Sequence, residues 1–377
     1  MSFLEKLPDI VKESKDQYER QKSGDFSPVE VFGTGENLLA MGDNLTFLSY
    51  LATKGKMKDR LQMIYSDPPF FSRSKYTATV TLEGEEGKNI SSLKIPAYED
   101  IWTHDMEEYL RMLAIRLWFM KDLLAHDGVI WLHLDWHAVH YVKLIMDEIF
   151  GGEHFLNEII WQYKSGGSGK KHFSRKHDTI LLYSKTKEYR LKVGKEKSYN
   201  RKGKPYRFKG VEEYRDEGGW YTLVNQKDVW QIDMVGRTST ERTGYATQKP
   251  LALLRRIVES STAPGDICGD FFCGSGALAV AAEEAGRRWI CCDREQLAIA
   301  LTEKRMLNTN YSFLMEEQEG GGIPLCGKIR EHPKEARDRI AEIKKCHPEK
   351  MILYRTEKRV VDILGNMIPS EQKDLRW

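Results

Sequence analysis

The sequence predicts an α/β protein built on a mostly parallel, Rossmann-like sheet with a small insert. Three observations point there. An apolar run, Leu61 to Tyr65, reads as a strand and leads into Asp67-Pro68-Pro69-Phe70. A second short strand leads into Asp270-Phe271-Phe272-Cys273-Gly274-Ser275-Gly276, which opens a helical run, Ala277 to Ala285, and then a further strand, Arg288 to Cys292, that ends in Asp293. Around these, strand-like and helix-like runs follow one another from Asn37 to about residue 310, the pattern of a sheet with helices on its faces.

Taken in order, residues 1 to about 30 are polar and predict a helix and a loop. Asn37 to Met41 reads as a strand, Thr46 to Leu51 as a helix, and the charged turn Lys54 to Arg60 leads into the strand at Leu61. Residues 72–100 hold Gly84-Glu85-Glu86-Gly87 and Ser91-Ser92 and lack helical periodicity. They predict a long loop beside the site, mobile until substrate binds, with an exposed hairpin as the alternative. His104 to Leu124 has apolar residues at helical spacing, with Asp127-Gly128 as its terminator and Val129 to Leu134 as a buried strand. A helix Ala138 to Phe150 stops at Gly151-Gly152. Ile159 to Tyr163 and Thr179 to Ser184 predict strands around a Gly-rich basic loop, Ser165 to Lys176. Residues 186–240 differ in composition, and Leu251 to Ser260 predicts a helix. Further on, Gly320-Gly321-Gly322 reads as a hinge, 333–346 as a charged helix, and 351–364 as a strand or helix.

Two motifs carry chemistry. Consecutive prolines can neither continue a sheet nor start an ordinary helical turn. They lock the backbone and leave the Asp67 carboxylate and the Pro68 carbonyl as neighbouring acceptors, with the Phe70 face two residues on. That set suits a flat ring carrying an amino group; the plainer alternative is a strand-ending turn. In the second motif, glycines let the backbone approach a ligand, and an acid after the next strand accepts from ribose hydroxyls. Asp293 lies 17 residues past Gly276, near the roughly 20 of nucleoside-binding folds. The pattern is G-x-G without the rest of the dinucleotide fingerprint, which argues against a dinucleotide.

Asp-Pro-Pro-aromatic together with this glycine loop resembles the S-adenosylmethionine-dependent amino-methyltransferases of DNA, which act on adenine N6 or cytosine N4. The catalytic motif precedes the cofactor loop, as in the permuted beta group. Further segments resemble the family: Met41-Gly42-Asp43-Asn44-Leu45, Trp131-Leu132-His133-Leu134-Asp135, Asn157-Glu158-Ile159-Ile160-Trp161, His177-Asp178-Thr179-Ile180-Leu181 and Thr247-Gln248-Lys249-Pro250. The likeness covers roughly residues 30–310 and is nearest to site-specific adenine enzymes, including modification subunits of type III restriction systems.

The resemblance implies a methyltransferase fold with a seven-stranded sheet and S-adenosylmethionine as cofactor. It divides the chain into an N-terminal part of the catalytic domain (1–185), a target-recognition region (186–240), a C-terminal part holding the cofactor loop (241–310) and an extension (311–377). Asp67, Pro68, Pro69 and Phe70 become the catalytic set, with Phe71 or Tyr76 as a second pocket wall or as core. Asp270 and Phe272 fall to the cofactor, Gly274 and Gly276 to its methionine portion, and Asp293 to its ribose. Asp43 would sit near the adenine, or simply cap the following helix, and Thr247 and Lys249 would sit near the carboxylate. Asp135 is either ligand-facing or a cap. Double-stranded DNA is the implied partner, with room for a restriction or specificity subunit and for a homodimer. The implied setting is the cytoplasm of a bacterium, archaeon or phage host.

Composition agrees. The net charge of +2 hides an asymmetry: Lys164 to Lys209 holds 16 Lys and Arg against three acids. This block is interleaved with Phe173, Tyr183, Tyr189, Tyr199, Tyr206 and Phe208. A basic run is usually a solvated face; here it starts where the family places DNA-facing loops, so Lys170, Lys171, Arg175, Lys176, Arg201, Lys202 and Lys204 are expected on phosphates. No apolar run approaches the roughly 18 residues of a membrane span, and no secretory signal is expected. The six cysteines lack C-x-x-C pairs and read as small core residues in a reducing compartment. No metal is expected, either at Cys346-His347 or at His133, His137 and His140.

Phe70 stands where the family more often has Tyr, and Ala277 where Thr is frequent. Asp67 favours adenine, since the family's cytosine enzymes more often carry Ser at that position. A cytosine-N4 enzyme remains the runner-up within the class. A non-catalytic nucleic-acid-binding subunit is the alternative outside it, and the intact Asp67, prolines and glycines argue against that.

Overall fold

The computed structural model describes residues 3–22, 30–32, 37–83, 89–102, 106–164, 171–201, 203–308, 352–356, 359–362 and 367–369. The expected hinge at Gly320, the helix at 333–346, the Gly84–Gly87 tip, Lys170, Lys202 and Cys346-His347 lie outside these residues.

In chain order the first elements are α1 (Phe3–Lys22), β1 (Glu30–Phe32), β2 (Leu38–Met41), α2 (Asn44–Ala52), β3 (Leu61–Ser66), β4 (Ser74–Glu83), β5 (Asn89–Asp100) and α3 (Met106–Leu123). Next come β6 (Leu124–Leu134), α4 (Val139–Phe150), β7 (Phe155–Gln162), β8 (His177–Ser184), β9 (Lys195–Tyr199), β10 (Tyr214–Asp216), β11 (Gly219–Asn225) and β12 (Val229–Gln231). The last are α5 (Leu251–Ser261), β13 (Ile267–Asp270), α6 (Ala277–Glu284), β14 (Arg288–Asp293), α7 (Gln296–Asn308) and three short strands, β15 (Ile352–Thr356), β16 (Arg359–Asp362) and β17 (Met367–Pro369).

The central sheet has nine strands in the order β1-β2-β14-β13-β3-β6-β8-β7-β12. Its inner seven, β2 to β7, match the expected seven-stranded core. Each edge carries one further strand, antiparallel β1 and parallel β12. The run from β2 to β6 is parallel throughout, and β8 enters antiparallel between β6 and β7. Parallel strands buried on both faces read as continuous apolar runs, and every residue of β3 and β13 is buried. One core joins α1 to α4 with one face of the sheet, through Ile10, Phe47, Leu110 and Ile145. A second joins α5, α6 and α7 to the other, through Ile257, Leu278 and Ile299.

The chain leaves β3 toward β6 on one side and leaves β13 toward β14 on the other, while β3 and β13 pair directly, with Met63 opposite Cys268 and Ile64 opposite Gly269. The carboxyl ends of such a diverging pair open a crevice at the topological switch point. Asp67 follows one strand and Asp270 ends the other, so two motifs about 200 residues apart meet there.

Two expectations need correction, and one left open is resolved. Residues 74–100 are a hairpin, β4 paired antiparallel with β5, not a long loop. Asp127-Gly128 does not terminate α3; the helix ends at Leu123 and both residues lie inside β6. Gly128 is there for close approach, because a Cβ would stand 2.9 Å from the Leu61 carbonyl oxygen. Residues 351–364 are strands where they are described. Within 186–240, β9, β10 and β11 form a separate three-stranded sheet, while β12 returns to the main sheet beside β7.

Candidate active site

A cavity of about 310 Å³ opens at the switch point, lined among others by Asp43, Asp67, Pro68, Pro69, Phe70, Thr247, Lys249, Asp270, Phe272, Gly274 and Asp293. The Asp-Pro-Pro-Phe motif and the glycine loop are therefore two walls of one space.

The Asp67-Pro68-Pro69-Phe70 wall is held from behind. Phe71 turns the chain through a left-handed backbone with φ 63°, a strained state for a bulky residue. Its ring is buried against Tyr109 at 5.8 Å, so Phe71 is core while Tyr76 lines the cavity. Asp100, at the end of the hairpin, accepts from the Ser72 amide (2.6 Å), the Ser72 hydroxyl (2.7 Å) and the Trp102 indole (2.8 Å). These three bonds pin the chain just after the motif. Tyr98 stacks on Tyr76 at 4.7 Å and on Tyr245 at 6.4 Å, joining the hairpin to the segment before α5.

The Lys249 ammonium bonds the Asp67 carboxylate and lies 5.3 Å from the centre of the Phe70 ring. The resemblance had implied the cofactor carboxylate for Lys249; its ammonium lies on Asp67. Asp67 Oδ1 is buried and has no hydrogen-bond partner among the described residues.

On the other wall, Gly276 adopts φ +71°, and a Cβ there would meet Thr302 at 2.5 Å, so only glycine fits the turn into α6. Asp293 accepts from the amides of Gly274 (2.8 Å) and Glu295 (2.9 Å). Burial nevertheless pushes its carboxyl up to about 6. Asp270 accepts from the Phe272 amide at 3.1 Å, and burial together with the Asp67 and Asp293 charges raises its carboxyl well above the ordinary range. Two poorly solvated carboxylates facing one cavity favour a ligand that donates hydrogen bonds to them.

Asp43 is a helix cap that also lines the cavity: its carboxylate accepts from the Thr46 amide at 3.0 Å and pairs with Arg116 at 3.0 Å. Asp135 accepts from the His137 amide (2.8 Å) and pairs with its Nδ1 (2.6 Å), closing a turn ahead of α4; the N-cap of that helix is Ala138, with no side-chain cap bond. Among the described residues no group of His, Cys, Asp and Glu could hold a metal ion. No described helix is long and apolar enough to cross a membrane. Cys268, Cys273, Cys291 and Cys292 are buried and free. Lys171, Arg175, Arg201 and Lys204 are exposed and Lys176 is half-buried. The Arg175 guanidinium lies 4.0 Å from the centre of the half-exposed Trp136 ring, which follows the carboxyl end of β6, the strand parallel to and beside β3.

His133, Tyr65, Asp178, Asp100 and Arg116 were not picked out as site residues from the sequence. Each is a polar side chain in or beside an apolar run, which is the one signal that could have found them.

Fold and site together define a Rossmann-like α/β protein in which the Asp-Pro-Pro-Phe motif and the glycine loop share one cavity. The chain belongs to the N6/N4 DNA methylase family, whose model matches residues 61–304; the methyl donor of that family is S-adenosylmethionine. It is 28% identical over 329 residues to the type II methyltransferase M.EcaI of Enterobacter cloacae, spanning 71% of this chain and 69% of that one. It is 26% identical over 278 residues to the type II methyltransferase M2.DpnII of Streptococcus pneumoniae, spanning 73% of this chain and 91% of the other. The solved PvuII DNA methyltransferase (cytosine-N4-specific) superposes with a TM-score of 0.49 at 14% identity, over 74% of this chain and 89% of that chain.

Proposed function

We propose that this chain is a site-specific DNA methyltransferase that methylates adenine at N6. The observation that carries the proposal is the single cavity lined by both Asp67-Pro68-Pro69-Phe70 and the Asp270–Ser275 loop. Asp67 supports adenine over cytosine, because the family's cytosine enzymes more often carry Ser there.

S-adenosylmethionine supplies an electrophilic methyl carbon on a cationic sulfur. The residues suited to hold it are Asp270 and Phe272 for the nucleoside, Gly274 and Gly276 for the methionine chain, Asp293 for the ribose hydroxyls, and Asp43 and Thr247 at the margins. An exocyclic amine is a poor nucleophile because its lone pair is delocalised into the ring. Asp67 and the Pro68 carbonyl accept its two N–H hydrogens and localise that lone pair on nitrogen. Positioning and electrostatics then supply most of the acceleration, with no covalent enzyme intermediate. Asp67 need not be a strong base, since the proton becomes acidic only once the methyl is on nitrogen. A base inside a duplex cannot reach this pocket, so it must be flipped out and stacked on Phe70.

Exposed Lys171, Arg175, Arg201 and Lys204 suit the phosphates of double-stranded DNA. The short 186–240 region leaves room for a specificity or restriction subunit, or for a second copy of this chain. A cytoplasmic, DNA-associated setting follows from the substrate.

The test is incubation with DNA and methyl-labelled S-adenosylmethionine, followed by nucleoside analysis. Label on N6-methyladenine is expected. Label on cytosine N4 would replace the base assignment, and label only in RNA would sink the DNA reading. Failure of the chain to bind S-adenosylmethionine would favour a non-catalytic subunit.

A further inference from the structure

Beneath the base pocket runs a buried polar chain with no task in the mechanism above. His133, in β6, is fully buried. The Tyr65 hydroxyl stands 2.7 Å from its Nδ1, and Asp178 Oδ2 stands 3.3 Å from its Nε2. The Tyr163 hydroxyl donates to the other Asp178 oxygen at 3.1 Å. The four residues come from β3, β6, β8 and the end of β7, which are neighbours in that order.

The partners dictate the imidazole's state. Burial would raise Asp178, but its hydrogen bonds to His133 and Tyr163 and the Lys249 charge outweigh that and hold it below the ordinary carboxylate range. An ionised carboxylate only accepts, so His133 Nε2 carries the hydrogen. Burial and the carboxylates around Tyr65 raise its phenol well above the ordinary value, so it stays a hydroxyl and donates to Nδ1. One tautomer and one ring orientation satisfy both neighbours.

That orientation matters because of what the ring touches. Its centre lies 5.5 Å from that of Phe70, with the planes tilted by 38°. On another side it meets the edge of Trp161 at 5.3 Å. Its Nδ1 lies 3.7 Å from Asp67 Oδ1, the carboxylate oxygen left without a hydrogen bond. An apolar side chain could fill the same volume without the desolvation cost of a buried polar chain, so packing alone does not account for this residue.

We propose that His133, oriented by Asp178, is the positioning residue of the base pocket, setting the tilt of Phe70 and the rotation of the Asp67 carboxylate. The proposal rests on the methyl-transfer reading above and adds to it the means by which the motif is aimed.

His133→Phe keeps a flat ring under Phe70 and removes both nitrogens. Asp178→Asn keeps the shape and removes the fixed acceptor. The readouts are the single-turnover methylation rate at saturating S-adenosylmethionine and excess plasmid DNA, and the separate dissociation constants of cofactor and DNA. Both variants should transfer at least tenfold more slowly, with both dissociation constants within about threefold of the unmodified chain. The double variant should be no slower than His133→Phe alone, because residues acting as one unit are not additive. Transfer at the unmodified rate overturns the proposal, and so does a loss that appears equally in cofactor affinity. If His133→Phe does not fold, Asp178→Asn decides by the same criteria. An unmodified chain that methylates no DNA fails at the level of the proposed function, an outcome distinct from active enzyme with indifferent variants.

Discussion

The Lys249 ammonium is bonded to the Asp67 carboxylate and stands over the Phe70 ring. Lys249 is only 10% exposed and Asp67 16%, so the pair is largely shielded from water and its attraction is little screened. Cation, carboxylate and aromatic face thus form one unit at the end of β3.

A Lys249→Met variant should therefore show its main defect in transfer and not in cofactor binding. The expected loss in single-turnover rate is about tenfold to a hundredfold, with S-adenosylmethionine affinity changed by less than about threefold. Calorimetric titration beside rate measurement decides this. Affinity lost with the rate intact would return Lys249 to the cofactor carboxylate.

Asp67→Ala removes the acceptor that the proposed mechanism assigns to the amino group. Transfer should fall below detection while S-adenosylmethionine still binds, because Asp270 and Asp293 lie on the opposite wall. Near-normal turnover in this variant would take Asp67 out of the mechanism. The variant also strands a largely buried ammonium, so a lowered Tm is expected alongside.

The two walls were legible because each rests on a local rule. Paired prolines end a strand wherever they fall, and the left-handed turn at Gly276 requires glycine whatever surrounds it. Their meeting was legible only through the family resemblance, since no local pattern places Met63 beside Cys268. What stayed hidden depends on partners distant in sequence. His133 gave no sign of Tyr65 below it or of Asp178 two strands of chain later. Residues 74–100 looked like a loop because strand pairing between β4 and β5 leaves no helical period to detect. Asp127-Gly128 looked like a stop because close backbone approach and chain reversal both select glycine.

Gly276→Ala tests the cofactor wall through sterics. The substituted residue would have to hold φ +71° and place its Cβ 2.5 Å from Thr302. The left-handed backbone alone costs roughly 1–2 kcal/mol, and relief of the clash must move α6 or α7. The expected outcome is a fall of several degrees in Tm and a loss of S-adenosylmethionine affinity of tenfold or more by titration. Unchanged affinity would mean that this turn does not approach the ligand.

Charge reversal of Lys171 and Arg175 tests the DNA face. Each phosphate contact removed should lower the slope of log affinity against log salt by about 0.9. The double variant should thus lose up to about two units of slope, with cofactor affinity untouched. An unchanged slope in binding titrations across salt would place the phosphate contacts elsewhere.

Asp293 gives the cleft a pH dependence whose sign can be worked out. Burial raises its carboxyl from about 3.8 to about 6. In the ligand-free chain the proton is therefore held more tightly than in the unfolded chain. The stability this group contributes is full below about pH 4 and is lost as pH rises through 6. A ribose reverses the preference, because two hydroxyl donors need an ionised carboxylate to accept them both. Cofactor affinity should then be full above pH 7 and weaken as pH falls through 6, by about tenfold at pH 5 if one proton is released on binding. Titrations in buffers of different ionisation enthalpy would read that proton directly. Asp293→Asn should bind more weakly at neutral pH and lose the dependence between pH 5 and 7. A dependence of the same size in Asp293→Asn would assign the proton to another group, with Asp270, the other buried carboxylate of this cavity, first in line.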